Sequence, residues 1–538
     1  EILELARVYA RPKDFGQYSY GTAGFRMKED LLDHVMFAVG LLSGIRSRRV
    51  SGMTVGVMIT ASHNPAEDNG VKVVDTEGTM LDQEWEKHAA NLANGQTPEE
   101  TQRAYMQLVR ETKIDQSKPA HVIFARDTRP SGARLIEPLK AALTATGVTF
   151  HDYGMLTTPQ LHYLVKAKNT ENSPESYGEV SEEGYYKKLM DAFVAAMTDA
   201  EMQGPLTVDC ANGVGAIALK KFLKHVPKGS ENIFHIRAVN DEIENAGVLN
   251  KDCGADFVKT RQTVPRGFNG KTFDRWASFD GDADRLVYYY LKEGPQFCLL
   301  DGDRIATLVA SFLGDLVLKS GLGGKINIGV VQTAYANGAS TNHIQQTLRM
   351  KVDCTETGVK HLHRAASRFD IGVYFEANGH GTVLFSPKTL SLISRHEPQS
   401  PAELEQLTIL RATTNLINQT VGDALSDLLL VEVVLAYRGF TVKEWMATYK
   451  DLPNQLQTCK VSDRAIFTTI PGTAEQRLQT PDGLQDMIDR LVVKYHQGRL
   501  FVRASGTEDA VRIYAEAAQM FDVEDMIGRA HEMVTNDH

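Results

Sequence analysis

Apolar, β-branched runs alternate with longer stretches of helical periodicity along most of this chain. The runs Val55–Ile59, Val122–Phe124, Leu206–Val208, Ile326–Val331 and Ile371–Phe375 predict strands. Their alternation with helices predicts an α/β protein with parallel or mixed sheets. After about residue 455 the pattern changes: Leu500–Arg503, a Gly-containing loop, Val511–Glu516 and a helix from Val523 to Val534 predict a smaller α+β C-terminal domain. Polar stretches at Lys168–Ser181 and Lys443–Asp463 interrupt the alternation, and a weaker change falls near Leu300. These breaks predict domains at 1–175, 176–299, 300–442 and 443–538. No fixed-period repeat is visible, although three of the blocks are α/β and of similar size.

Length and composition fit this division. A chain of 538 residues exceeds what one hydrophobic core supports, and 42% hydrophobic with 23% charged residues is ordinary for packed domains. No run approaches the ~20 uninterrupted apolar residues of a membrane span, and Glu1 to Arg11 has no basic segment followed by an apolar one. The five cysteines, Cys210, Cys253, Cys298, Cys354 and Cys459, are odd in number and form no C-x-x-C pair, so free thiols and a cytoplasmic location are expected. A net charge of −10 argues against nucleic-acid or anionic-membrane partners, so an anionic small molecule would need local positive charge.

Four loops carry candidate chemistry. Thr60-Ala61-Ser62-His63-Asn64-Pro65 directly follows the strand Val55–Ile59, which puts Ser62 at a strand's carboxyl end with His63 and Lys72 as titratable neighbours. A plain turn hydroxyl is the alternative there. Asp280-Gly281-Asp282-Ala283-Asp284-Arg285 lies between Ala277–Phe279 and Leu286–Tyr290, and its three carboxylates can converge on one hard cation, Mg²⁺ or Ca²⁺ rather than zinc. An EF-hand needs Gly at position six and Glu at twelve, where this chain has Arg285 and Leu291. A solvated acidic turn is the competing reading.

Glu376-Ala377-Asn378-Gly379-His380-Gly381 joins Ile371–Phe375 to Val383–Phe385 and offers polar groups suited to sugar hydroxyls and an amide, though a Gly-rich hairpin looks the same. Arg503-Ala504-Ser505-Gly506-Thr507-Glu508-Asp509, with Arg512 beyond, supplies two guanidiniums, two hydroxyls and loop N–H groups for a phosphate; an exposed hairpin flanked by surface arginines is the alternative. Two other patterns fall away. Gly270-Lys271-Thr272 has Pro265 where a P-loop needs glycine, and Asn212-Gly213-Val214-Gly215-Ala216 has no clear ribose-binding acid after the next strand.

In this order the four loops resemble the alpha-D-phosphohexomutase family, over almost the whole chain. Tyr20-Gly21-Thr22-Ala23-Gly24-Phe25-Arg26 and Arg126-Asp127-Thr128-Arg129-Pro130 fit as well. The resemblance implies four domains around a central cleft and a phosphoserine at Ser62. It implies Mg²⁺ held by Ser62, Asp280, Asp282 and Asp284, and a sugar 1,6-bisphosphate as intermediate and primer. Lys72 falls where the family keeps a general acid or base, His63 and Arg26 where groups assist transfer. Glu376, Ala377 and Asn378 would contact the sugar, and Arg503, Ala504, Ser505, Gly506, Thr507 and Arg512 its phosphate.

Glucose and mannose phosphate mutases usually carry Glu-x-Ser in the sugar loop. Glu376-Ala377-Asn378 and Gly329-Val330-Val331-Gln332-Thr333-Ala334-Tyr335-Ala336-Asn337-Gly338 point instead to the branch that interconverts N-acetylglucosamine 6-phosphate and 1-phosphate for UDP-N-acetylglucosamine synthesis. A glucose or mannose phosphate mutase, or a metal-dependent sugar phosphatase, is the alternative. The family commonly has Pro after the first Arg of the phosphate loop; Ala504 here predicts a looser loop and weaker phosphate binding.

Overall fold

The computed structural model describes every residue except 14, 199, 230–233, 295, 506–508, 537 and 538, and leaves out the side chain at 536. It divides the chain into two compact units, Glu1–Asp301 with Arg411–Gly439, and Gly302–Leu410 with Phe440–His538.

The first unit holds two five-stranded mixed sheets. One comprises β1 (Phe25–Lys28), β2 (Thr54–Ile59), β3 (Asp68–Val74), β4 (His121–Arg126) and β5 (Thr149–Met155), in the order β1-β3-β2-β4-β5. Here β2 runs antiparallel to β3 and parallel to β4. Every residue of β2 is buried, which is why it reads as an unbroken apolar run. The helix Asp33–Arg49 is buried along nearly its whole circumference, and its Val35, Phe37, Leu41 and Leu42 join Val55, Val57 and Phe124 in one core. The other sheet comprises β6 (Leu206–Asp209), β7 (Ile236–Val239), β8 (Arg275–Phe279), β9 (Leu286–Leu291) and β10 (Phe297–Leu300), in the order β10-β9-β8-β6-β7.

The returning segment 411–439 completes this unit. Its helix Ala424–Arg438 packs on Glu182–Met197, and Glu432 pairs with Arg275 of β8 at 2.7 Å while accepting a 3.0 Å bond from the Tyr288 hydroxyl.

The second unit holds β11 (Ile328–Thr333), β12 (Lys351–Thr355), β13 (Ile371–Phe375) and β14 (Gly381–Phe385), in the order β12-β11-β13-β14. It also holds a C-terminal α+β part with β15 (Asn454–Lys460), β16 (Thr468–Thr469), β17 (Leu478–Thr480), β18 (Arg499–Ala504) and β19 (Ala510–Glu516). There β15-β19-β18 form one antiparallel sheet, β16 pairs with β17, and the helix Met520–Asn536 packs on β15 and β19. The helical stretch Gly302–Leu322 is long and apolar enough to cross a membrane by composition, but 67% of that window is buried in protein, which marks a core helix.

The mixed α/β class with a smaller α+β C-terminal part is as the pattern predicts. Two local readings are corrected. The third sheet's first strand begins at Ile328, not Ile326. The polar stretch Lys443–Asp463, read as a break in the alternation, contains a strand that was not read there: β15, an edge strand whose exposed side chains alternate with half-buried ones until Cys459 reaches the core. A strand with one face toward water needs few apolar residues, so it does not announce itself.

The three larger sheets share one arrangement. In each, a parallel pair lies beside the inner strand of an antiparallel hairpin: β4 and β5 beside β2/β3, β6 and β7 beside β8/β9, β11 and β12 beside β13/β14. The hairpin loops after β2, β8 and β13 are the three loops that begin with Thr60, Asp280 and Glu376.

Candidate active site

In the first unit the serine loop and the acidic loop meet. Ser62 is 1% exposed, and its Oγ donates a 2.7 Å hydrogen bond to Asp280 Oδ2. His63 Nδ1 lies 3.4 Å from Ser62 Oγ. Ser62 has φ +50°, in the left-handed region that a β-carbon disfavours, and a network holds it there. Its N–H donates to Thr60 Oγ1 at 2.9 Å, and Thr60 in turn donates to Asp127 at 2.7 Å. Its carbonyl accepts from Arg129 Nη2 at 3.1 Å and Asn250 Nδ2 at 2.9 Å, and both donors also reach the Asn64 carbonyl. Arg129 is itself paired with Asp127. A β-carbon on Gly281 would stand 2.4 Å from the Ser62 carbonyl oxygen, so only glycine lets the acidic loop come this close.

Asp280, Asp282 and Asp284 are all buried, with one carboxylate oxygen from each lying within 4.8 Å of the others. The loop is wound tightly: Asp280 Oδ1 accepts the N–H groups of Asp284 and Arg285, both at 3.1 Å, and Ala283 has φ +58°. Asp282 Oδ2 accepts 2.6 Å from the Thr158 hydroxyl and 3.4 Å from Lys72 Nζ, and Lys72 also reaches Asp284 Oδ2 at 3.3 Å. Asp282 Oδ1 is buried with no hydrogen-bond partner among the described residues. Three buried carboxylates with one oxygen left over are a donor set that suits a hard divalent cation.

The charges are strongly perturbed. Burial, reinforced by Asp284 and Asp282, pushes the Asp280 carboxyl well above its usual range. Burial and Asp284 push Asp282 up too, but Lys72, Thr158 and Arg26 outweigh them and leave it below its usual value. Burial alone would lower Lys72; Asp282 and Asp284 instead raise it, so it stays protonated. Burial and the nearby Arg285 push His63 down to about 4, so its imidazole is neutral near pH 7. Arg26 donates 3.3 Å to Asn64 and is lowered by burial and by Arg285.

In the second unit, Glu376, Ala377 and Asn378 form the turn between β13 and β14. Asn378 Oδ1 accepts the His380 N–H at 2.9 Å and its Nδ2 donates to Glu376 Oε2 at 3.4 Å, so the side chain shapes the turn. Arg503 and Arg512 face each other directly across the β18/β19 ladder. Ala504 pairs with Val511, and Ser505 is buried, its N–H bonded to the Ala510 carbonyl at 2.8 Å. Gly506 and Thr507 lie outside the described residues.

The structure thus brings together Ser62, His63, Lys72, Arg26 and the three aspartates in one unit, while Glu376, Ala377, Asn378 and the described residues Arg503, Ala504, Ser505 and Arg512 lie in the other. Thr158 and Asn250 are additions. Thr158 opens a helix behind a Thr157 capping box, which is a local signal, but nothing local connects it to Asp282. Asn250 has no sequence signal at all.

Models of known families match all four parts of the chain. Residues 45–100 and 90–173 match domain I of phosphoglucomutase/phosphomannomutase, and 459–527 match its C-terminal domain. Residues 178–287 and 301–440 match domains II and III of phosphoacetylglucosamine mutase. The pig (Sus scrofa) phosphoacetylglucosamine mutase is 48% identical over 507 residues, covering 93% of this chain and 90% of the relative. A crystal structure of Aspergillus fumigatus N-acetylphosphoglucosamine mutase in complex with GlcNAc-6P and magnesium is 54% identical, covers 99% of this chain and 98% of its own, and superposes with a TM-score of 0.95. A second structure from that fungus, of a variant in complex with glucose 1,6-bisphosphate, matches with a TM-score of 0.93 at the same identity and coverage.

Proposed function

Because the chain belongs to the phosphoacetylglucosamine mutase family, within the alpha-D-phosphohexomutases, we propose that it interconverts N-acetylglucosamine 6-phosphate and N-acetylglucosamine 1-phosphate through a phosphoserine at Ser62. The observation that carries this reading is the 2.7 Å bond from Ser62 Oγ into a buried cluster of three carboxylates. The relatives crystallised with GlcNAc-6P and magnesium and with glucose 1,6-bisphosphate support the substrate, the metal and the primer. The family-model boundaries support the division at 1–175, 176–299, 300–442 and 443–538, although the last part of the third segment, 411–439, packs in the first unit. The enzyme would act in the cytoplasm, supplying UDP-N-acetylglucosamine synthesis.

Asp280, Asp282 and Asp284, with the phosphorylated Ser62, would hold Mg²⁺. A bound Mg²⁺ supplies charge neutralisation and Lewis acidity at a phosphoryl oxygen. The protein's own part is positioning. Arg129 and Asn250 fix the Ser62 carbonyl and so the direction of its side chain. Lys72, beside Asp282 and Asp284, would serve as the general acid or base and as positive charge, and His63 hydrogen-bonds at Ser62 Oγ. Arg503, Ala504, Ser505, Gly506, Thr507 and Arg512 would bind the phosphate already on the sugar, and Glu376, Ala377 and Asn378 its ring and N-acetyl group.

In the first half-reaction the P–O bond to Ser62 breaks as one forms to the free sugar hydroxyl, which releases its proton while Ser62 Oγ takes one up. The product is a 1,6-bisphosphate. When the bisphosphate rebinds with its phosphates exchanged, the reverse transfer restores phosphoserine and leaves the isomer.

A coupled assay for N-acetylglucosamine 1-phosphate, with Mg²⁺, bisphosphate primer and glucose phosphate as competitor, tests the reading. Preference for the acetylated sugar supports it. Preference for glucose phosphate would overturn the assignment of Asn378, and net release of inorganic phosphate would make the protein a phosphatase.

A further inference from the structure

Glu475 belongs to none of the four loops, yet it touches one of them. Its Oε1 lies 2.8 Å from Arg503 Nε. Its Oε2 accepts a 2.9 Å hydrogen bond from the Thr357 N–H, in the turn between β12 and the helix Val359–Ala366. Gln476 Nε2, one residue on, lies 3.3 Å from Cys354 Sγ at the end of β12. The segment is therefore sewn to one side chain of the phosphate loop and to the end of a strand in the sugar-loop sheet.

The backbone bends to achieve this. Ala474 has φ +51° and Glu475 φ +61°, two consecutive non-glycine residues in the left-handed region. Such strain persists where surrounding contacts over-determine it, and it gathers at functional sites. The Glu475 carboxyl is ionised: burial would raise it, but the Thr357 N–H and Arg503 outweigh burial and hold it below its usual value.

A carboxylate beside a phosphate-binding arginine weakens the pull on an anion, so attraction does not explain its position. Orientation does. Arg503 stands directly across the ladder from Arg512, and two neighbouring guanidiniums repel. A fixed carboxylate paired with Nε offsets that repulsion and, together with Tyr335, which also contacts Arg503, restrains the guanidinium in one orientation toward a phosphate. We propose that Glu475, anchored by the Thr357 N–H, is a positioning residue that aims Arg503 at the phosphate of the bound sugar. The proposal rests on the reading of Arg503 as a phosphate ligand.

Steady-state kinetics with N-acetylglucosamine 6-phosphate, and inhibition by inorganic phosphate, test it in Glu475→Gln, Glu475→Asp, Arg503→Lys, the double variant Glu475→Gln/Arg503→Lys and Gln476→Ala. Glu475→Gln should raise KM and the phosphate inhibition constant by about tenfold with kcat within about twofold, and Glu475→Asp should recover part of the loss. Arg503→Lys should raise KM at least as far, and the double variant no further. Gln476→Ala, which loosens the same segment without touching Arg503, should leave KM unchanged. A Glu475→Gln enzyme that binds phosphate as well as or better than the parent, or that behaves like Gln476→Ala, overturns the proposal. An unchanged KM in Arg503→Lys overturns the phosphate-loop reading and the proposal with it.

Discussion

At the scale of single residues, the acidic cluster is organised by its neighbours as much as by its own spacing. Thr158 and Lys72 both take Asp282 Oδ2, which leaves Oδ1 for a cation. Thr158→Val should therefore lower Mg²⁺ affinity by roughly 10- to 100-fold, the usual cost of losing a group that orients a metal ligand. Titration calorimetry checks this without any turnover, and an unchanged affinity would show that Thr158 does not orient the carboxylate. The D-x-D-x-D spacing made the aspartates legible in the sequence, because few other uses concentrate three carboxylates between apolar strands. Thr158 was not legible, because its partner lies 124 residues away. Asn378 was legible as a polar residue of the loop 376–381, but not that its side chain is engaged within the turn, its oxygen with the His380 N–H and its amide with Glu376.

At the scale of elements, β2 and β13 were visible as apolar strands because every residue in each is buried, whereas β8, equally buried, showed only as the short run Ala277–Phe279 because Arg275 and Ser278 break its apolar pattern. The helix Ala424–Arg438 was not singled out in the sequence, nor was its place in the first unit, since a helix's periodicity does not say which distant sheet it covers. Two buried acids on it carry predictions. Glu432 and Arg275 form a fully buried pair that ties the helix to β8. Arg275→Met strands the carboxylate and should cost about 3–5 kcal/mol of stability in denaturant unfolding, whereas an effect under about 1 kcal/mol would mean the pair is dispensable.

Asp427 is the second buried acid. Burial, together with the nearby Asp423, pushes its carboxyl well above its usual range, and its Oδ2 has no hydrogen-bond partner among the described residues. A carboxyl raised on folding makes the native state bind more protons than the unfolded chain, so its contribution to stability falls as pH rises above the unfolded pKa. Asp427→Asn removes that penalty. Its melting temperature should exceed the parent's at pH 8 and the gain should shrink toward pH 4; a gain that is the same at both would contradict the assignment.

At the scale of the whole molecule, three sheets place chemistry in the same position, the loop after the inner strand of a hairpin that flanks a parallel pair. The sequence shows three α/β blocks of similar size but not this shared topology, because strand order depends on pairings between distant segments. It does show the anionic character of the chain, whose net charge of −10 means that an anionic ligand must meet local positive charge, such as the cross-strand pair Arg503 and Arg512 would supply. The central claim is that Ser62 carries the transferred phosphoryl group, and the most direct measurement is a chase of radiolabelled phosphate. The enzyme is loaded from labelled bisphosphate, mapped by peptide mass spectrometry and then exposed to unlabelled N-acetylglucosamine 6-phosphate. Label should appear on Ser62 and pass into the sugar bisphosphate, and in Ser62→Ala there should be no label together with a rate reduced by roughly 10⁴-fold or more. Label on another residue, or turnover retained by Ser62→Ala, would contradict it.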